Sequence, residues 1–250
     1  MHTLLLRLAG PLQSWGSGSK FDSRLTERTP TKSGVLSLAA AALGYKRDDP
    51  IDKLQRLKFA ARVDQPGKII KDFHTAHTSR DKRLSFISDR YYLSDAIFLA
   101  GLEGPRELLN TIEKALQNPV FPTFLGRRSC PPSVPLVLGI REQPLMAALL
   151  NAPWEASERY RRNQPKGVWL EIVRDAEPGE PGVFEMRDFP ITFSQSHRQH
   201  VFRNVISDVR AVEIKNELSR AYTGSEVFDA IATKHDPFDE LEADYVSVQD

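Results

Sequence analysis

The sequence has 250 residues, 40% of them apolar, which allows one large domain or a medium domain with appendages; its single cysteine, Cys130, excludes an internal disulfide. Lys and Arg number 34 against 33 Asp and Glu, so a net charge of +1 excludes the uniformly basic kind of nucleic-acid binder. The balance is uneven along the chain: residues 1–90 hold 17 Lys/Arg against 9 Asp/Glu, 91–210 hold 14 against 14, and 211–250 hold 3 against 10.

The opening MHTLLLRLAG reads as a first strand. Its apolar run is far too short to span a bilayer, and it lacks the basic region and cleavage site of a signal peptide. Together with the lone cysteine this gives the expectation of a cytoplasmic protein with no membrane contact. Leu12–Gly16 continues extended and carries Trp15, and Gly16 to Lys20 reads as a flexible loop. Residues 20–32 are polar and hold Lys20, Arg24, Arg28 and Lys32. Ser33 is positioned to cap a small-residue helix over Gly34–Gly44, apolar nearly all round and therefore expected to lie on a sheet. Gly44 fits its stop. A short helix over Asp52–Lys58 and a strand over Phe59–Val63 follow.

Residues 68–90 are polar and basic, and a β-ribbon is one reading of them. Arg90–Leu102 reads as one long strand or a strand pair. Pro105–Gln117 is an amphipathic helix with Leu108, Leu109, Ile112, Ala115 and Leu116 on one face, ended by Pro119 and Pro122. Val134–Ile140 supplies one more strand, which completes a β-α-β-β-α-β order. An antiparallel sheet of that kind has helices on one face and the other face open, and RNA-recognition domains use that open face or its loops. The second half reads as less regular: a helix at Leu145–Leu150, strands at Val168–Val173 and Phe184–Phe193, and a turn at Pro178–Gly182. Residues 211–250 read as an acidic extension with short helices near 212–221 and 225–233.

Three segments carry the chemistry of a polyanion site. In Gly16–Lys32, cations alternate with hydroxyls and aromatics: Lys and Arg neutralise phosphates, and Ser and Thr donate to their oxygens. Segment 68–92 holds Lys68, Lys71, Arg80, Lys82, Arg83 and Arg90 with His74, His77, Tyr91 and Tyr92, a set able to track phosphates and stack on bases. Arg127-Arg128, in the turn Gly126–Ser129, suits a phosphate or a guanine. Each has a plain alternative as ordinary solvated loop. His74-x-x-His77 and His197-x-x-His200 match no zinc spacing, and no Walker, dinucleotide or nucleophile-elbow motif is present, so neither metal nor cofactor is expected. Metal-independent RNA cleavage needs a base and an acid, for which Tyr45, His74, His197 and His200 are the candidates; nothing in the sequence brings them together.

Six motifs in order, LLLRLAGPLQSWG, RTPTKSGVLSLAAAALG, RVDQPG, DFHTA, RYYLSDAIFLAGLEG and FPTFLGRRSCPPS, resemble the CasD family, the Cascade subunit of type I-E CRISPR systems within the RAMP proteins. The resemblance covers residues 3–140, with a looser match at DFPITFSQSHRQHVFRNV. It implies a ferredoxin-like domain over 1–140 with a projecting β-hairpin thumb within 66–90; the strands over 141–210 are expected to pack on or extend that domain, and the acidic extension over 211–250 has no counterpart in the family.

It also implies a noncatalytic subunit that holds the 5′ handle of the guide RNA. Its neighbours would be the last backbone subunit and the large subunit that reads the PAM, with target DNA met through the complex. Within the matching motifs the expected RNA contacts are Gln13, Ser14, Trp15, Lys20, Arg24, Arg28, Thr29, Lys32 and Ser33, then His74, Arg80, Lys82, Arg83, Arg90 and Tyr91 on the thumb, and Arg127, Arg128 and Ser129. A related type I-C protein cleaves precursor RNA with a Lys-His dyad. The Lys-His pair here, Lys234-His235, lies in the acidic extension, and precursor cleavage stands as the alternative function.

Overall fold

A computed structural model describes residues 1–16, 23–77, 85–133, 135–194, 196 and 199–220. In chain order the elements are β1 (His2–Ala9), β2 (Leu12–Gln13), β3 (Ser23–Arg24), α1 (Lys32–Ala42), α2 (Asp52–Gln55), β4 (Lys58–Gln65), β5 (Lys68–His77), β6 (Ser85–Ser94), β7 (Ile97–Gly104) and α3 (Arg106–Gln117). Then come β8 (Val137–Arg141), α4 (Leu145–Asn151), α5 (Glu158–Arg162), β9 (Gly167–Asp175), β10 (Phe184–Thr192) and β11 (Gln199–Lys215). The chain divides into two compact units. The first is Met1–Ser157 with Trp169–Ile214; the second joins Glu158–Val168 to the segment that begins at Lys215. No helix among the described residues is long and apolar enough to cross a membrane.

The main sheet has seven strands in the order β10-β11-β9-β4-β7-β1-β8. β1 pairs antiparallel with β7 and β8, and β4 pairs antiparallel with β7 and β9. Alternation along the strands divides the core. Leu4, Leu6 and Leu8 of β1, Phe59 and Ala61 of β4, and Phe98, Ala100 and Leu102 of β7 pack with Val35, Leu36 and Ala39 of α1 and Leu109 and Ile112 of α3. Leu5, Ala60 and Leu99 point to the opposite face and meet Leu145, Ala148 and Leu149 of α4. The centre of the sheet is therefore covered on both faces, which corrects the expectation of one open face. It also explains why β1 and β7 are continuous apolar runs.

Arg62 holds this cover in place. Fully buried, it donates to both carboxylate oxygens of Asp64 at 2.7 and 2.9 Å, and to the carbonyls of Leu149, Ala152 and Pro153 at the end of α4. Those carbonyls lack helical partners, and a cation there also suits the helix dipole.

α1 starts earlier than the sequence indicates. Thr31, extended at φ −85° and ψ 147°, is the cap, and its hydroxyl accepts from Gly34 N at 3.2 Å. Ser33 lies inside the first turn and is buried. Gly44 ends the helix at φ +81°, a left-handed position where a side chain would be strained. The strand pair within Arg90–Leu102 is real: β6 turns into β7 at Asp95, whose φ is 56°.

β5 and β6 form an antiparallel hairpin in register from Lys68↔Ser94 to His77↔Ser85; β2 pairs on the other side of β6, and β3 pairs with β6 in parallel. The second half is more regular than its sequence indicates, since β9, β10 and β11 extend the main sheet. Pro190 interrupts the β10–β11 register without ending the strand. The helix expected near 212–221 is absent: β11 runs to Lys215 and a turn follows. The helix expected near 225–233 and the rest of 221–250 lie outside the described residues, as do Lys20, Arg80, Lys82, Arg83, His197 and most of the Gly16–Lys20 loop.

Candidate nucleic-acid interface

Several residues expected at an RNA surface are interior instead. Gln13 and Trp15 are both 0% exposed. The Gln13 amide donates to Leu8 O at 3.1 Å and Ala96 O at 2.7 Å, and its oxygen accepts from Trp15 Nε1 at 3.1 Å. Gly34 sits so close to the indole that a Cβ would lie 2.7 Å from Trp15 Cε3. Ser14 is buried as well, with its hydroxyl donating to Tyr91 O at 3.2 Å. These three side chains anchor the loop after β2 and have no polar atom to spare.

Lys32 is the larger correction, being 5% exposed. Its ammonium pairs with Asp175 at 3.0 Å and lies 5.3 Å from the centre of the Phe189 ring, and its backbone N donates to Asp188 at 2.7 Å. Burial pushes the ammonium below the usual lysine range, against the opposing pull of Asp175. Arg203 completes the network, donating to both oxygens of Asp188 at 2.8 Å and to Asp175 at 2.6 Å. Lys32, through Asp175, Asp188 and Arg203, thus ties the start of α1 to β9, β10 and β11.

Arg24, Arg90 and Arg127 converge. β3 sets Arg24 opposite Arg90 of β6. Gly126, at φ +84°, turns the chain after Leu125 so tightly that a Cβ would fall 1.7 Å from Ser14 O. That turn delivers Arg127 onto the hairpin base. Its guanidinium lies 4.7 Å from the centre of the Tyr92 ring, and Nη2 donates to Arg24 O at 2.7 Å.

Burial opposes ionisation of the Tyr92 phenol. Hydrogen bonding from Ser129 and Arg127, the Arg127 charge and Arg90 outweigh it, so the phenol falls below its ordinary range. Tyr92 is thus met by Ser129, Arg127 and Arg90 together; as one aromatic in a long segment it is not singled out by the sequence.

Arg24, Arg28, Arg128 and Ser129 are exposed; Thr29, Arg90, Tyr91 and Arg127 are half-buried. None of Arg24, Arg28, Arg90, Arg127 and Arg128 has a carboxylate within 4.0 Å among the described residues. In addition, Arg90 Nε and Arg127 Nη1 are buried with no hydrogen-bond acceptor among the described residues. Guanidinium groups that lack a carboxylate and keep a desolvated N–H without an acceptor are costly within one chain and are suited to an anion supplied from outside.

The hairpin beyond this junction differs. Lys71 pairs with Asp89 at 2.8 Å, and His74 with Asp72 at 2.7 Å. Among its described residues the exposed large apolar side chains are Ile69, Ile70, Phe73 and Ile87. The ribonuclease candidates are spread over separate elements: Tyr45 after α1, His74 in β5 and His200 in β11.

Taken together these features describe a mixed α/β protein, mostly antiparallel sheet, that gathers cations without counter-charges where a loop, a hairpin and a tight turn meet. Residues 3–206 match the model of a family of CRISPR-associated proteins, Cas5, and the chain belongs to that family. It is 34% identical over 197 residues to the CRISPR system Cascade subunit CasD of Escherichia coli (strain K12), covering 70% of this chain and 88% of that protein. The resemblance to the CasD family carried by the six motifs therefore holds.

Among solved structures, a chain of a CRISPR RNA-guided surveillance complex superposes with a TM-score of 0.73 at 31% identity, covering 92% of this chain and 98% of that one. A crystal structure of a Cas protein gives a TM-score of 0.64 at 38% identity, covering 88% and 98%.

Proposed function

We propose that this chain is a noncatalytic subunit of a Cascade surveillance complex, holding the 5′ handle of the crRNA and joining the backbone filament to the large PAM-reading subunit in the cytoplasm. The observation that carries the reading is the junction of Arg24, Arg90, Arg127 and Arg128, cations with no carboxylate partner among the described residues. RNA phosphates are the counter-charge this arrangement lacks. Thr29 and Ser129 add hydroxyl donors, and Tyr91 adds a ring on which a base can stack.

In this reading the strand order β8-β1-β7-β4, with α1 and α3 on one face, is a ferredoxin-like RAMP core, and β5–β6 is its thumb. His74, Arg80, Lys82 and Arg83 on the thumb complete the RNA contacts. Target DNA is met through the assembled complex.

The test is to purify the chain with its neighbouring subunits and ask what nucleic acid comes with it. Guide RNA of one defined length is expected, intact after incubation in EDTA. Specific cleavage of repeat RNA by the chain alone in EDTA would overturn the noncatalytic assignment in favour of a metal-independent endoribonuclease.

A further inference from the structure

The hairpin that brings Arg90 to the junction also carries acids, and where those acids go decides whether Arg90 stays open. Its described residues, 68–77 and 85–94, hold two carboxylates, Asp72 and Asp89. In the β5–β6 register Asp72 stands directly opposite Arg90. Residues opposed in an antiparallel ladder share one face, with Cβ atoms about 4.5–5.5 Å apart, so an Asp and an Arg in those places are well set to form an ion pair. Tyr92, two positions from Arg90, lies on the same face, where Arg127 stacks on its ring.

The pair is not made. Arg90 has no carboxylate within 4.0 Å among the described residues, and its Nε is buried without an acceptor there. Asp72 is held by another group: its Oδ2 lies 2.7 Å from Nε2 of His74, two positions along β5 and on the same face. Asp89 is treated alike on the opposite face, where Lys71 Nζ lies 2.8 Å from its carboxylate. Both acids of the described hairpin are thus engaged by basic side chains of β5, and the arginine of β6 is left without a counter-charge.

We propose that His74 is a positioning residue for the RNA site: by holding the Asp72 carboxylate it keeps Arg90 free for a phosphate. The proposal rests on the handle reading above, and it gives His74 a role through Asp72 besides any contact of its own. The Asp72 and His74 side chains are 49% and 45% exposed, so the effect is one of severalfold in affinity and not an on–off gate.

The test measures, by anisotropy, the affinity of the full chain for a synthetic 5′ handle RNA, in wild type, His74→Ala, Asp72→Asn and the double variant, with Arg90→Gln as reference. His74→Ala releases the carboxylate to Arg90 and is expected to weaken binding about two- to fivefold, the range a cross-strand ion pair supplies. Asp72→Asn removes the competitor and should bind at least as tightly as wild type. In the Asp72→Asn background the loss caused by His74→Ala should shrink, since no carboxylate is left to release.

An equal loss in both backgrounds would mean that His74 acts on RNA only by its own contact, and would overturn the proposal. So would wild-type binding by His74→Ala while Arg90→Gln is weakened, a result that leaves the handle site standing. If Arg90→Gln itself bound like wild type, the handle reading would fail at this residue and the proposal with it.

Discussion

Two sets of arginines in this molecule are treated in opposite ways. Arg62 and Arg203 are buried, and each is met by carboxylates in good geometry: Arg62 by Asp64 and three carbonyls, Arg203 by Asp188 and Asp175. Arg24, Arg90, Arg127 and Arg128 sit at the junction of loop, hairpin and turn with no carboxylate near them among the described residues. The same side chain is thus a structural tie in one region and an open valence in the other. What separates the two roles is whether the counter-charge comes from the chain itself.

The largest effect on stability is expected in the first set. Arg62→Ala strands the Asp64 charge in the core and leaves three carbonyls without donors, and Arg203→Ala strands Asp188. Each is expected to cost about 3–5 kcal/mol in denaturant unfolding. At the junction the prediction reverses. Arg127→Glu with Arg128→Glu should cost no more than about 0.5–2 kcal/mol, from loss of the Arg127–Tyr92 contact, while blocking assembly with guide RNA in a pull-down. If the junction pair proved as destabilising as Arg62→Ala, the contrast between the two sets would collapse.

Tyr92 sharpens the comparison at a smaller scale. Tyr92→Phe keeps the ring beneath Arg127, whereas Tyr92→Leu removes a cation–π interaction worth about 0.5–2 kcal/mol. RNA affinity measured by anisotropy should fall severalfold for the leucine variant and less for phenylalanine. The smallest effect concerns Glu180, held down to about 2 by the hydrogen bonds and charge of Arg174 and the Glu177 backbone. A carboxylate depressed on folding contributes stability that is present above its unfolded value near 4.5 and disappears as pH falls towards 2. In Glu180→Gln that acid-limb decline should shrink slightly; a decline on the alkaline limb would contradict the sign.

Much of the frame is legible in the sequence because local signals and burial agree. The face Leu109, Ile112, Leu116 identifies α3, and the apolar runs identify β1 and β7. Arg127 and Arg128 are legible in the sequence, since the tight turn at Gly126 lies beside them in the chain. Lys32 is not, because its partners Asp175 and Asp188 lie 143 and 156 positions away, so nothing local separates a core cation from a surface one. β11 escapes a sequence reading because its apolar residues fall in adjacent pairs, Val201-Phe202 and Val205-Ile206, which blurs a period of two. The cover given by α4 is hidden for a related reason: the Arg62 ties that hold it span nearly ninety positions.

The most direct test of the junction is the salt dependence of binding to the 5′ handle RNA, for the wild type and for a variant with Arg24, Arg90, Arg127 and Arg128 all changed to Gln. A log–log slope shallower by about 0.7 for each phosphate left without its guanidinium, nearly 3 in all, together with weaker binding and native stability, is the predicted result. An unchanged slope and affinity in a folded variant would mean that these guanidinium groups meet no phosphate.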